Sequence, residues 1–215
     1  MTAGEGVIRF AFEHRREELP DELRPLAADL ARRRRELVAR GVVGRDPLRY
    51  GGAGFGNLSA RVSRQEAPPG ARRFLVSGSQ TGDRDDLDLD GFALVESWQA
   101  ADHRLRSRGL VEPSSESLTH AALYDASPAV GAVFHVHAPE LWARRGTPAL
   151  PETDPGVDYG SPEMAAAVGA LGRRLLASTP AAVLAMGGHL DGVIAFGCDP
   201  AATTAILLAA LDGGQ

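Results

Sequence analysis

The segment "VFHVHAPE" constrains the fold of this chain more than any other. It sets His135 and His137 one residue apart inside an apolar run that reads as a buried strand. In a strand, alternate side chains share a face and lie about 7 Å apart along the chain. Both imidazoles therefore leave the sheet on the same side. Such a pair has two physical solutions. Each ring finds an ordinary hydrogen bond in the core, or the two converge on one cation, for which neutral imidazole is a good ligand. The pair alone does not choose between them.

The rest of the chain is patterned for a mixed domain. "GVIRFAFEHRREELP" alternates, with Ile8, Phe10 and Phe12 on one face, and predicts a half-buried strand. "DELRPLAADLARRRRELVARG" has helical periodicity through Leu23, Leu26, Leu30 and Leu37, closing at Gly41 as a left-handed cap. "YGGAGFGNLSARVS" and "RRFLVSGSQTG" predict short strands bounded by turn-rich loops, and Phe92–Val95 a further strand. Helices are expected over 114–126, in "SPEMAAAVGALGRRLLAS" and in "DPAATTAILLAALDG", with two short strands in "AAVLAMGGHLDGVIAFG". Helices interspersed with short strands predict an α/β domain of the α+β type with a central, mostly antiparallel sheet.

Composition narrows the function classes. The 215 residues are 44% hydrophobic, enough for a sizeable core without staples. A net charge of −5 gives no basis for nucleic acid or an anionic membrane as partner. The basic run Arg32–Arg35 lies on a predicted helix and reads as a solvated face. A lone Cys198 excludes an internal disulfide framework and fits a reducing compartment. No apolar run reaches the roughly 18 residues of a membrane span, and no signal peptide is evident, so a cytoplasmic protein is expected.

Two further stretches bear on chemistry. In "MGGHLDG", His189 sits in a glycine-flanked turn between apolar strands. As a third ligand it would complete the three-residue set of a catalytic zinc, leaving a position open for substrate; alone it is a loop residue. In "EPSSESLTH", Glu116 lies at a predicted helix start, where free amides and the dipole favour anions, beside Ser114 and Ser115. A capping carboxylate is the plainer reading of that peptide.

"GNLSAR", "EPSSE" leading by a helix into "AVFHVH", and "GGHLDGVIAFG" together resemble the class II aldolase/adducin family of the L-fuculose-phosphate aldolase type. The resemblance runs in order from about Leu26 to the C-terminus, and the 19 positions from Glu116 to His135 match the family interval. It implies a three-layer αβα domain over 26–215, with 1–25 as an N-terminal extension carrying an edge strand. His135, His137 and His189 would be metal ligands. Glu116 would be the catalytic acid/base, ligating the metal when substrate is absent. The metal would be divalent, zinc first, with manganese, iron or cobalt as alternatives. Phosphate-using members hold their anion on three loops, here Gly56–Asn57, Thr81–Gly82 and Ser114–Ser115, with Ser77 and Ser79 as substitutes in the middle one. The implied activity is a lyase that cleaves a small hydroxy-carbonyl substrate through a metal-chelated enediolate, in a homotetramer. Dehydratase, epimerase and decarboxylase are same-family alternatives. A non-catalytic adducin-like binding domain and a water-activating hydrolase are readings of other classes.

The stretch between the His-x-His strand and "YGSPEMA" carries no tyrosine before Tyr159, where the compared aldolases supply a tyrosine proton donor, and the chain ends at "LDGGQ" without their tyrosine-bearing tail. Glu140 and Trp142 are nearby but read as surface and packing. His120, one turn after Glu116, either orients that carboxylate or is a core histidine; His14 and His103 read as surface. Asp191 is either an acceptor for His189 or turn chemistry.

Overall fold

The computed structural model describes residues 10–63, 65–99 and 102–213. In chain order these form β1 (Ala11–Arg16), a 3-10 turn at Asp21–Leu23, α1 (Arg24–Ala39), the short β2 (Gly44–Arg45) and β3 (Gly54–Phe55), β4 (Asn57–Arg61), β5 (Phe74–Ser77), β6 (Phe92–Gln99) and β7 (Arg104–Gly109). Then follow α2 (Ser117–Ala126), β8 (Ala132–His137), α3 (Pro139–Trp142), α4 (Pro162–Leu176), β9 (Ala182–Ala185), β10 (Gly192–Gly197) and α5 (Pro200–Asp212). Eight strands make one sheet in the order β1-β7-β6-β5-β4-β8-β10-β9. β1 pairs with β7 in parallel, and the other neighbours are antiparallel. β2 and β3 form a separate two-stranded ribbon.

The period-two alternation of β8 sorts the two cores. Ala132, Phe134 and Val136 point into a core shared with Leu30 and Leu37 of α1 and Leu207 of α5. Val133 points the other way, among Leu118 and Leu123 of α2 and Met164 and Leu171 of α4. By the same alternation His135 and His137 share the α2/α4 face. β8 is buried at every position because it has β4 on one side, β10 on the other and helices over both faces. The result is the expected three-layer αβα arrangement around a mostly antiparallel sheet. No helix among the described residues is long and apolar enough to cross a membrane.

Local signals explain the helix ends. Gly41 follows α1 with φ 69° and donates its amide to Val38, as a left-handed cap does. Ser161 and Asp199 cap α4 and α5 by accepting from Met164 N and Ala202 N. Pro25 at the head of α1 leaves residues 21–23 as a 3-10 turn rather than part of the helix. α2 begins at Ser117, three residues later than its sequence suggests, with Glu116 as the residue before it. β7 was not foreseen: Arg104, Arg106 and Arg108 mask an alternation whose other members, Leu105, Ser107 and Gly109, are buried. Phe10 is buried beside Phe12, whereas Ile8 lies outside the described residues.

One expectation is overturned. The arginine run of α1 is not a uniformly solvated face: Arg33 and Arg34 are buried, at 8% and 3% exposure. Helical geometry turns Arg32 and Arg35 outward to Asp29 and Asp86, while Arg33 and Arg34 face inward beside Leu30 and Leu37. Arg33 pairs with Asp29 and donates to Thr204 of α5.

Phe134 joins the central strand to α1 and α5. Phe134→Ala is expected to destabilise the protein by about 3–5 kcal/mol, read as a lower denaturant midpoint.

Candidate functional site

His135, His137 and His189 meet on the α2/α4 face, all essentially inaccessible to solvent. Their ring centroids lie 5.0, 4.9 and 4.8 Å apart, and one nitrogen from each falls within 4.8 Å of the others. Backbone pairing explains the meeting. In β8 and β10, His137 lies opposite Gly192, the end of the turn that carries His189. A Cβ on Gly192 would stand 2.8 Å from His189 Cγ, so the missing side chain is the space the third imidazole fills. Gly188 is equally constrained, since a Cβ there would sit 1.8 Å from the Val157 carbonyl. The glycines of "GGHLDG" thus bring one histidine down beside two others.

The nitrogens are suitably prepared. His135 Nδ1 lies 3.3 Å from the Val193 carbonyl, which places the proton there and leaves Nε2 as a lone pair. That Nε2 faces His137 Nε2 at 3.2 Å. Two imidazole nitrogens sharing a tetrahedral zinc at bond lengths near 2.0–2.1 Å stand about 3.3 Å apart, so the observed spacing fits a shared cation. Burial, followed by the neighbouring imidazoles, holds the pKa of His135 well below its ordinary value. Burial, then His189 and Arg49, does the same for His137. Both rings are neutral near pH 7, the form that binds metal.

Two tyrosines fix the rings. Tyr159 stacks on His189 with centroids 4.5 Å apart and planes at 22°. Tyr50 meets His137 edge to face at 4.6 Å. Tyr50 has a left-handed φ of 50°, an uncommon conformation for a bulky residue. It is held by donating its hydroxyl to Asp191 Oδ2 at 2.6 Å and accepting from Arg49 at 2.7 Å. Of the two roles open to Asp191, the structure shows a partner for Tyr50 in a turn of φ 62°. Tyr50 was not singled out from sequence; its only signal is an aromatic residue ahead of two glycines in a loop.

Glu116 precedes α2 and stands beside the cluster rather than within it. It is 1% exposed, with Oε1 4.0 Å from His189 Nδ1 and Oε2 accepting from Thr119 Oγ1 at 2.6 Å. His120 is a core residue: its Nδ1 meets Ser59 Oγ at 2.7 Å, and that hydroxyl is 2.7 Å from Tyr124 Oη. Burial depresses the His120 pKa to about 3. Glu140 is exposed, and Trp142 packs at the core edge with its indole donating to the Met186 carbonyl.

The other six residues singled out from sequence line one polar cleft: Gly56, Asn57, Thr81, Gly82, Ser114 and Ser115. Ser79 lines it too, whereas Ser77 is occupied, its hydroxyl accepting from Leu58 N. The cleft adjoins the cluster by backbone connection, as Asn57 lies opposite His135 in β4 and β8 and Ser115 precedes Glu116. A further lining residue is Arg34.

Fold and site together define a class of αβα proteins with a buried three-histidine cluster compatible with a metal ion, and comparison with known proteins specifies the family. Residues 47–210 match the model of the Class II Aldolase and Adducin N-terminal domain, and the chain belongs to that family. No curated protein matches it in sequence. Among solved structures it is similar to YgbL from Escherichia coli, described as a candidate aldolase/epimerase/decarboxylase, with 19% identity, a TM-score of 0.62 and coverage of 89% of this chain and 87% of that one. It is also similar to L-fuculose-1-phosphate aldolase from Thermus thermophilus, with 21% identity, a TM-score of 0.55 and 88% of each chain covered. A sugar-phosphate aldolase from Thermotoga maritima gives 15% identity and a TM-score of 0.60, over 90% of this chain and 92% of that one.

The depressed pKa values carry a stability consequence. Unfolded histidine titrates near 6.5, whereas His120, His135 and His137 titrate lower in the fold. Their contribution is intact above about pH 6.5 and is lost as pH falls towards the folded values, at roughly 1.4 kcal/mol per pH unit for each proton taken up on unfolding. Urea titrations of metal-free protein from pH 7.5 to 5 are expected to show uptake of two to three protons from these residues, about one fewer in His120→Gln.

Proposed function

We propose that the protein is a divalent-metal-dependent lyase acting on a small hydroxylated carbonyl compound that carries an anionic end. The observation that supports it most is the buried three-imidazole cluster with the Glu116 carboxylate 4.0 Å from His189. His135, His137 and His189 would hold the metal, and Glu116 is close enough to join them before substrate enters. Zinc suits this donor set, and manganese, iron or cobalt are compatible with it. Bound there, the ion would supply a Lewis acid that polarises a carbonyl and stabilises an enediolate.

The chain's own residues would do the rest. Glu116 takes the proton of the hydroxyl on the carbon beyond the bond that breaks, as that carbon leaves as a carbonyl, and delivers it to the carbon that holds the bonding pair as an enediolate. Thr119 fixes one carboxylate oxygen, so the other is turned towards the histidines. Gly56, Asn57, Thr81, Gly82, Ser114 and Ser115 seat the anionic end, and the register between Asn57 and His135 holds that end a short distance from the reacting carbons. Residues 26–215 are proposed as the catalytic unit, preceded by an extension over 1–25. A homotetramer is proposed by family analogy, with no nucleic-acid or membrane partner and a cytoplasmic location.

Decarboxylation or epimerisation is the second reading, and Tyr159 favours it over aldol cleavage. This tyrosine follows the stretch in which the compared aldolases carry a donor, yet its ring is committed to stacking on His189. All these reactions share the enolised intermediate. The test is deuterium exchange into the hydroxymethyl carbon of dihydroxyacetone phosphate, followed by NMR in D2O. Wild-type protein is expected to catalyse it. Glu116→Gln is expected to lose about 100-fold or more while retaining its metal. Exchange at the wild-type rate in that variant would remove Glu116 as the acid/base.

A further inference from the structure

Among the described residues, four non-glycine residues have a left-handed φ: Tyr50, Gln80, His103 and Asp191. Two of the four, Tyr50 and Asp191, are hydrogen-bonded to each other across 141 positions of chain. Aspartate tolerates this conformation, whereas a bulky aromatic residue takes it only against steric resistance. Gly51 and Gly52 continue in the same region, at φ 66° and 77°, so a third glycine at position 50 would turn the loop more easily. What the loop gains from a tyrosine there is its side chain. Backbone strain of this kind persists where the contacts around it over-determine the conformation.

Those contacts reach both segments that carry the histidine cluster. The Tyr50 ring meets His137 edge to face at 4.6 Å, while its hydroxyl donates to Asp191 Oδ2 at 2.6 Å. Asp191 follows His189 by two residues, in a turn that lies beyond the last paired residues, Ala185 and Gly192. The carbonyl of Asp191 accepts from Ala138 N, the residue after His137. Arg49 Nη2 donates to the Tyr50 hydroxyl at 2.7 Å and to the His137 carbonyl at 3.3 Å. Arg49 Nη1 donates to the Gly41 carbonyl at 2.8 Å, which anchors the loop to the end of α1. Burial, then the bond to Asp191, raises the Tyr50 pKa, so the hydroxyl stays protonated as a donor. Arg49, Tyr50 and Asp191 thus form a charge-assisted hydrogen-bond chain from the end of β8 to the His189 turn.

We propose that Tyr50 is a positioning residue for a divalent cation: its ring steadies His137, its hydroxyl holds the His189 turn, and the Tyr50–Asp191 bond sets how tightly the ion is bound and how slowly it leaves. The proposal rests on the reading of the three histidines as metal ligands. One ligand segment is a strand and the other a turn outside the paired sheet, so their separation needs a link of its own. Partners that orient ligands in this way are commonly worth about 10- to 100-fold in metal affinity.

The experiment is zinc binding to metal-free protein at pH 7.5, measured by competition with a chromophoric chelator, with the fold of each variant verified by circular dichroism. Tyr50→Phe keeps the ring and removes only the hydroxyl. It is expected to weaken zinc about tenfold and to release it faster in stopped flow. Asp191→Ala is expected to do the same, and Asp191→Asn, which keeps an acceptor oxygen, to recover most of the loss. The double variant Tyr50→Phe, Asp191→Ala is expected to be no weaker than the worse single one, because both changes remove one bond. A cobalt-loaded Tyr50→Phe protein is expected to show shifted visible absorption bands, the mark of altered ligand geometry. A merely structural role would lower the denaturant midpoint of the metal-free protein and leave the zinc constant unchanged. That outcome overturns the proposal, as do additive losses in the double variant. Should Tyr50→Phe fail to fold, equal zinc affinity in Asp191→Asn and Asp191→Ala overturns it. Wild-type protein that takes up no zinc would overturn the metal reading as well, whereas zinc held alike by wild type and Tyr50→Phe removes the role of Tyr50 alone.

Discussion

Two imidazoles on the inner face of a fully buried central strand are the constraint to which the rest of the molecule answers. A core strand ordinarily gives both faces to hydrocarbon, and β8 does so on its α1/α5 side. On its other side the burial of His135 and His137 is tolerable only if their nitrogens are used. The surrounding architecture provides that use. The Val193 carbonyl accepts a hydrogen bond from His135, Gly192 vacates the space for a third ring, and Tyr50 and Tyr159 limit how the rings can turn. The geometry of the three rings is therefore set by packing alone.

The second organising feature is the segment 114–116 at the head of α2. Its serines line the polar cleft while its glutamate lies beside the histidines, so one turn of chain joins the cleft to the cluster. The register of β4 against β8 makes the same connection on the sheet side, with Asn57 beside His135. Such double connection suits a substrate gripped at one end and reacted at the other, because binding energy at the anion can orient the carbonyl.

Sequence revealed some of this and concealed the rest, for physical reasons. The His-x-His strand was legible because strand alternation is local: two residues apart means the same face wherever the strand lies. His189 and Glu116 carry no local mark of their destination, and resemblance rather than spacing linked them to the pair. β7 was hidden because its outward arginines outweigh its buried positions in any reading by hydrophobicity. Arg34 was misread for the opposite reason. A run of four arginines suggests solvent, yet consecutive helical residues face different ways, and the partners that make its burial tolerable are carbonyls 47 and 50 positions away. Tyr50 reaches Asp191 across 141 positions, a pairing that no local pattern announces.

The account stands on three histidines from two separate segments holding one divalent cation. X-ray absorption at the metal edge of protein purified without added chelator tests this most directly. The account predicts one equivalent of divalent metal with about three imidazole nitrogens at 2.0–2.1 Å and oxygen in the remaining position. A stoichiometric metal with sulfur or purely oxygen ligands, or a protein that takes up no divalent ion when offered one, would contradict it.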